Sequence, residues 1–252
     1  LHVAAGWPSL ARAAGNVSSP PLRNAGTIGG NICVDTRCNY YNQSEFWRQS
    51  IGGCMKKDGE ICLVAPGSKI CWAISSSDTA PVLIALGAEV TLAGPRDERR
   101  IPIATLFGSD GIDYLAKRRE EILTRIHVPE REGWKTSYRK LRRRGSIDFP
   151  ILSVAVAARL AKGGVVEQIR IVLGSVHVAP VSATDAEAFL EGKVLDPETI
   201  EMAAGIAYKP AKPLDNADLS YAWRKRMARL EVARALREVA GLPTFDFPPL
   251  WS

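Results

Sequence analysis

The chain has 252 residues, 46% hydrophobic and 24% charged, with a formal net charge of +6. A chain of this length can build its own core without a disulfide framework, and no apolar run approaches the roughly twenty residues that cross a bilayer. The positive excess is modest and concentrates at 135–144 and 224–237, without an aromatic platform or a base-reading motif, which argues against a nucleic-acid partner.

In chain order, residues 8–14 predict a short helix, stopped by Gly15-Asn16, and Ser19-Pro20-Pro21 predicts extended chain. Thr27-Ile28-Gly29-Gly30-Asn31 then places bare main chain between a hydroxyl and an amide. Glycine there permits positive φ and close approach of a phosphate or flavin chain, although a plain tight turn looks the same.

All five cysteines (Cys33, Cys38, Cys54, Cys62 and Cys71) fall within 39 positions. A disulfide framework fits poorly with an odd count and no signal peptide. A structural zinc site usually carries Cys-x-x-Cys knuckles, and none is present. From Cys38 the gaps are 16, 8 and 9, so four sulfurs arrive from four points of a long irregular loop, as an iron–sulfur cluster with one thiolate per iron allows. Gly52-Gly53, Asp58-Gly59 and Pro66-Gly67 put a turn ahead of each of the last three cysteines. Arg37, Lys56 and Lys57 bring cations close in sequence to thiols that must deprotonate to bind metal, or are simply solvated charges. Cys33, between Ile32 and Val34, reads as a small buried hydrophobe.

Beyond the cysteines, 78–88 predicts a helical turn entering an apolar stretch, followed by short strands at 89–92 and 100–103. Residues 122–128 alternate as a strand with Ile122, Thr124, Ile126 and Val128 on one face, leaving His127 on the other as an exposed residue. After the segment 137–141, the apolar run 151–158, a glycine turn at Gly163-Gly164 and the run 169–174 read as strand, turn, strand. Residues 183–190, 196–207 and 221–240 predict covering helices, with Asp196 capping ahead of Pro197. On the last helix Trp223, Met227, Leu230, Ala233 and Leu236 form the expected core stripe, and the arginines a solvated or partner-facing surface.

The segments 23–31 (Arg-Asn-Ala-Gly-Thr-Ile-Gly-Gly-Asn) and 77–88 (Ser-Asp-Thr-Ala-Pro-Val-Leu-Ile-Ala-Leu-Gly-Ala) together resemble the flavin-binding subunit of the molybdenum hydroxylase (xanthine dehydrogenase) family. In most of that family only a handful of residues separates the two motifs. Here about forty intervene, and this insertion resembles the one in the β subunit of 4-hydroxybenzoyl-CoA reductase, which carries an extra [4Fe–4S] cluster. The resemblance implies an α+β fold: an FAD-binding middle domain over 1–132 with a mixed or antiparallel sheet and the cysteine-rich insertion at 33–72, then a C-terminal domain over 133–252, an antiparallel sheet covered by helices.

The resemblance also implies FAD against Thr27, Gly29, Gly30 and Asn31, Asp78 on the polar flavin chain, and Lys140 near the isoalloxazine. The cluster would be held by Cys38, Cys54, Cys62 and Cys71. Family members begin with a separate lobe that holds the flavin pyrophosphate and has no counterpart in 1–24. Three explanations stand open: a fragment, a lobe supplied by another polypeptide, or lost flavin binding. The reductase type takes electrons from a ferredoxin-like donor and sends them through a [2Fe–2S] subunit to a molybdopterin subunit, where an aromatic acyl-CoA is dehydroxylated. No catalytic or substrate-binding residue is then expected on this chain. Flavin beside a cluster links one-electron to two-electron chemistry. Another molybdenum hydroxylase running electrons outward, and a zinc-stabilised interaction module, are the rival readings. Free cysteines and a labile cluster point to the cytoplasm, with no membrane or nucleic-acid partner.

Overall fold

The computed structural model describes residues 2–217 and 219–244. The expected C-terminal unit runs on to residue 252, and its last stretch, 245–252, lies outside the described residues. The chain opens with α1 (His2–Gly6), α2 (Pro8–Gly15) and α3 (Pro20–Ala25). Helix α2 is the one expected there. Helix α3 overturns the extended chain expected at Ser19-Pro20-Pro21. Ser19 itself is extended (φ −118°, ψ 161°), but both prolines enter the first helical turn, where no N–H is needed and their fixed φ suits the helix.

Two antiparallel sheets follow. β1 (Glu89–Ala93), β2 (Glu98–Pro102) and β3 (Ile122–His127) form the first, in order β2-β1-β3. β4 (Trp134–Leu141), β5 (Leu152–Leu160), β6 (Val166–Gly174) and β7 (Val181–Ser182) form the second, in sequential order. Between α3 and the first sheet lie α4 (Ile28–Ile32), α5 (Glu45–Ser50) and α6 (Ala80–Leu86). Every residue of α6 is buried, and Gly87 ends the helix in the left-handed region at φ 71°.

Helix α6 is shared between the sheets. Its Val82, Leu83 and Leu86 pack with Val90 and Leu92 of β1 and with Tyr138, Ala155, Ala157 and Val172 of the second sheet. The opposite face of that sheet, with Leu152, Val154, Val156 and Ala158, packs on α7 (Thr184–Leu190), α8 (Pro197–Ala207) and α9 (Tyr221–Ala240). Strand β5 is therefore apolar on both faces because both are covered, and the small alanines on the α6 side let that helix approach closely. Full burial of a side chain such as Leu83 contributes about 1.5–3 kcal/mol.

Two details depart from the sequence pattern. The alternation of β3 is interrupted by a bulge opposite Thr91/Leu92. His127 is half-buried, with Nε2 2.8 Å from the Thr91 hydroxyl, instead of exposed. On α9 the buried face is displaced from the expected stripe: Arg224, Ala228, Glu231, Val232, Ala235 and Val239 are buried beside Ala233 and Leu236, whereas Trp223, Met227 and Leu230 are half-buried. Arg224 and Glu231 are polar anchors of the core that apolar periodicity cannot register. Among the described residues no helix is long and apolar enough to cross a membrane.

Candidate cofactor site

The cysteine-rich insertion is a loop pinched at its base. Arg37 and Ile74 exchange both main-chain hydrogen bonds at 2.8 Å, and the buried Asn216 braces the neck. The Asn216 carbonyl accepts from the Asn39 N–H at 2.9 Å, and its amide donates to the Trp72 carbonyl. Asn216 in turn accepts from Arg224 of α9, so the buried arginine ties the helical layer to the insertion.

Within the loop, Cys38, Cys54, Cys62 and Cys71 are buried, each 5–8% exposed. All four line one small cavity, of about 10 Å³, with Tyr40, Tyr41, Met55, Leu63, Val64 and Ala73 as its apolar shell. The turn signals do the folding. Gly53 is left-handed at φ 75°, and a Cβ there would meet the Asp58 carbonyl oxygen at 2.6 Å. Around it Cys54 and Lys57 exchange main-chain bonds at 2.9 and 2.8 Å, and the Gly59 N–H closes on the Cys54 carbonyl at 3.1 Å. A turn from Cys62 to Ala65 and another from Ala65 to Ser68 carry the chain back towards Cys71.

Cys71 is fixed from outside the insertion. Its carbonyl accepts from the Gly111 N–H at 2.8 Å, and its N–H donates to Asp110 at 3.2 Å. A Cβ on Gly111 would lie 2.9 Å from the Cys71 sulfur, so only glycine fits. Lys56 also lines the cavity. Its ammonium, on a side chain 7% exposed, donates to Asp35 at 2.6 Å, the Gly111 carbonyl at 2.9 Å and both Thr36 oxygens.

Burial pushes the Cys38 thiol up, against the main-chain N–H groups of Tyr40 and Tyr41. Cys71 is pushed up to about 11, chiefly by burial, while the Ala73 N–H (3.4 Å from its sulfur) and Lys56 pull it back. A metal taken up here displaces protons from these thiols. Among the described residues no three His, Cys, Asp or Glu side chains converge as ligands of one ion. Cys33 lies outside the cavity, packed at the edge of the α6 core but half-buried where a buried residue is expected.

The flavin candidates lie on α4 and its cap, on the segment ahead of α6, and on β4. Thr27 caps α4, its hydroxyl accepting from the Gly30 N–H at 3.0 Å. Gly30 is exposed and Gly29 half-exposed, and a Cβ on Gly30 would meet only the Thr27 hydroxyl, at 3.2 Å. This stretch of open main chain fits the approach of a flavin chain. Asn31 points inward: its amide oxygen accepts from the Ser77 hydroxyl and from the Thr79 N–H and hydroxyl at 2.7–3.0 Å, strapping α4 to the segment around Asp78. Asp78 and Lys140 form a buried ion pair at 2.7 Å, with side chains 3% and 1% exposed. The Tyr138 hydroxyl donates to Asp78 at 3.1 Å, and Lys140 to the Asn16 carbonyl at 2.8 Å. Burial drives Asp78 up and Lys140 down, each opposed by the other's charge.

A second cavity, of about 630 Å³, meets the thiol cavity at Cys38. Ser76, two residues before Asp78, and the loop 143–151 after Lys140 wall it. Arg37 stacks over Phe149 at 3.9 Å, and the Ser76 hydroxyl is buried without a hydrogen-bond partner. Its volume is that of a cofactor or substrate pocket. Sequence reading missed Asn16, Tyr138 and Gly111. Tyr138 stood two residues from Lys140, on the same face of a strand, but Asn16 and Gly111 act through backbone groups that carry no side-chain signature.

Residues 2–131 match the family described as the FAD binding domain in molybdopterin dehydrogenase, and residues 136–239 the CO dehydrogenase flavoprotein C-terminal domain. The chain belongs to this family. It carries the two matched domains of that family, the FAD-binding domain and the flavoprotein C-terminal domain. The first match covers Thr27, Gly29, Gly30, Asn31 and Asp78, and the second covers Lys140. The chain is 31% identical over 175 residues to the glyceraldehyde dehydrogenase medium chain of Sulfolobus acidocaldarius, which covers 69% of this chain and 60% of the relative. It is 27% identical over 237 residues to the carbon monoxide dehydrogenase medium chain of Hydrogenophaga pseudoflava, covering 93% and 67%. A solved structure of carbon monoxide dehydrogenase from that organism superimposes with a TM-score of 0.72 and 27% identity over 95% of this chain and 69% of the other. The chain thus spans about 60–70% of these relatives.

Proposed function

We propose that this flavin subunit carries a [4Fe–4S] cluster on Cys38, Cys54, Cys62 and Cys71 and passes electrons between that cluster and FAD. One observation supports the reading: four buried thiols of one loop line a single small cavity. A mononuclear zinc needs its ligands at about 2.0–2.3 Å from one centre, whereas a cluster spreads four thiolates over four irons. When bound, the cluster supplies single-electron transfer and the flavin one- or two-electron exchange. The protein's part is to hold four thiolates, to keep water away with the apolar shell, and to fix Cys71 through Gly111 and Asp110.

FAD is assigned to Thr27, Gly29, Gly30 and Asn31, with Asp78 and Lys140 beside it. The open glycine main chain supports the first group, and the straps from Asn31 to Ser77 and Thr79 keep Asp78 in register with it. The cofactor-sized cavity that meets the thiol cavity at Cys38 is walled by Ser76 and the loop 143–151, and none of these six residues lines it.

The insertion favours the 4-hydroxybenzoyl-CoA reductase type, in which a ferredoxin-like donor feeds this subunit in the cytoplasm and electrons continue to [2Fe–2S] and molybdopterin subunits. The relatives named for glyceraldehyde and carbon monoxide dehydrogenases favour a second reading, a hydroxylase that sends electrons outward. Cysteine substitution tests the ligand set. Cys54→Ala is expected to abolish iron and acid-labile sulfide while Cys33→Ala retains both; iron unchanged in Cys54→Ala, or lost in Cys33→Ala, refutes the assignment.

A further inference from the structure

We propose that Lys56 sets the electron affinity of the group held by the four cysteines, an inference that rests on the cluster reading above. Lys56 lines the thiol cavity, and its ammonium is held between the Tyr41 and Tyr114 rings, 4.5 and 5.3 Å from their centroids. Its hydrogen-bond partners at Thr36 and Gly111 are neutral oxygens, and among the described residues its ionic partner is Asp35. The two charges are unequally buried. The Lys56 side chain is 7% exposed and that of Asp35 45%, so water screens the carboxylate far more than the ammonium. The cavity therefore faces a net positive charge.

Reduction of the cluster by an external one-electron donor adds one electron, and with it one negative charge, beside that ammonium. Cluster potentials respond to net charge, hydrogen bonding and exposure, and a buried cation favours the reduced form. Lys56 is thus a positioning and tuning residue, touching no substrate. Lys57, its sequence neighbour, supplies the contrast: its side chain is 52% exposed and pairs with Asp58 at 3.5 Å, outside the cavity lining.

The test is a dithionite titration of the whole protein, purified without oxygen and followed by electron paramagnetic resonance, with iron and sulfide assayed in each variant. Lys56→Met is expected to lower the reduction equilibrium constant at least tenfold, about 59 mV for one electron. Asp35→Asn, which leaves the ammonium uncompensated, is expected to raise it, and Lys57→Met to leave it in place. An unmoved potential in Lys56→Met with iron and sulfide intact overturns the role of Lys56 while leaving the cluster standing. If Lys56→Met loses its iron, Asp35→Asn decides, and a potential unmoved or lowered there overturns the inference. A wild-type protein that binds no cluster overturns the underlying reading instead.

Discussion

Replacing Lys140 by methionine removes one half of an ion pair whose side chains are 1% and 3% exposed. The methionine is close in volume, so the main change is electrostatic. Asp78 is left in the interior with a hydrogen bond from the Tyr138 hydroxyl but without its cation, and the Asn16 carbonyl loses the Lys140 ammonium. Breaking a buried pair from one side costs about 3–5 kcal/mol, because the surviving charge stays desolvated. Urea unfolding at neutral pH, followed by tryptophan fluorescence, is expected to show that loss. Asp78→Asn combined with Lys140→Met is expected to cost less than the sum of the single substitutions, since neither charge is then stranded. The deficit of Lys140→Met is also expected to shrink on acidification. Burial already raises the Asp78 pKa, and a protonated carboxyl needs no cation. A cost below about 1 kcal/mol, or strict additivity in the double variant, would refute the reasoning.

Gly111→Ala is expected to push the new methyl against the Cys71 sulfur, at 2.9 Å in the present geometry, costing about 1–3 kcal/mol by overpacking; iron per chain falls while far-ultraviolet dichroism is kept. Arg224→Met strands the carbonyls of Leu214, Ile151 and Ser175 and is expected to cost at least about 2–3 kcal/mol in urea unfolding, with a loss under about 1 kcal/mol counting against the anchor. Glu121 is held down to about 2, first by its hydrogen bonds from Arg99, against the opposing effect of burial. Its folded pKa lies below the ordinary value of 4.5, so its contribution is present above that value and is lost as pH falls towards 2. Stability measured between about pH 5 and about pH 2 should fall less steeply in Glu121→Gln.

Much of this architecture was legible where the physics is local. The apolar run at 151–158 marked a strand, but that α6 covers one of its faces and α7–α9 the other was not read from it. Asp196 ahead of Pro197 marked a helix start, and its carboxylate does accept the Thr199 N–H, at 2.8 Å. The misreadings arose where tertiary contacts outweigh pattern. Pro20-Pro21 opens a helix, and the buried face of α9 is displaced towards Arg224 and Glu231, polar residues satisfied by distant partners. At the candidate site, cysteine spacing announced a loop curled around something, and the turns at Gly53 and Gly59 form as their dipeptides suggested. What no pattern disclosed was the contact from outside the loop. Asp110 and Gly111 reach Cys71 from about forty positions away, through main-chain groups and one carboxylate.

The most direct test of the central claim is metal and sulfide content after purification without oxygen. The account predicts a brown protein with about four irons and four acid-labile sulfides per chain, one thiolate per iron. A colourless protein holding a single zinc would contradict it and return the insertion to the role of a structural docking loop.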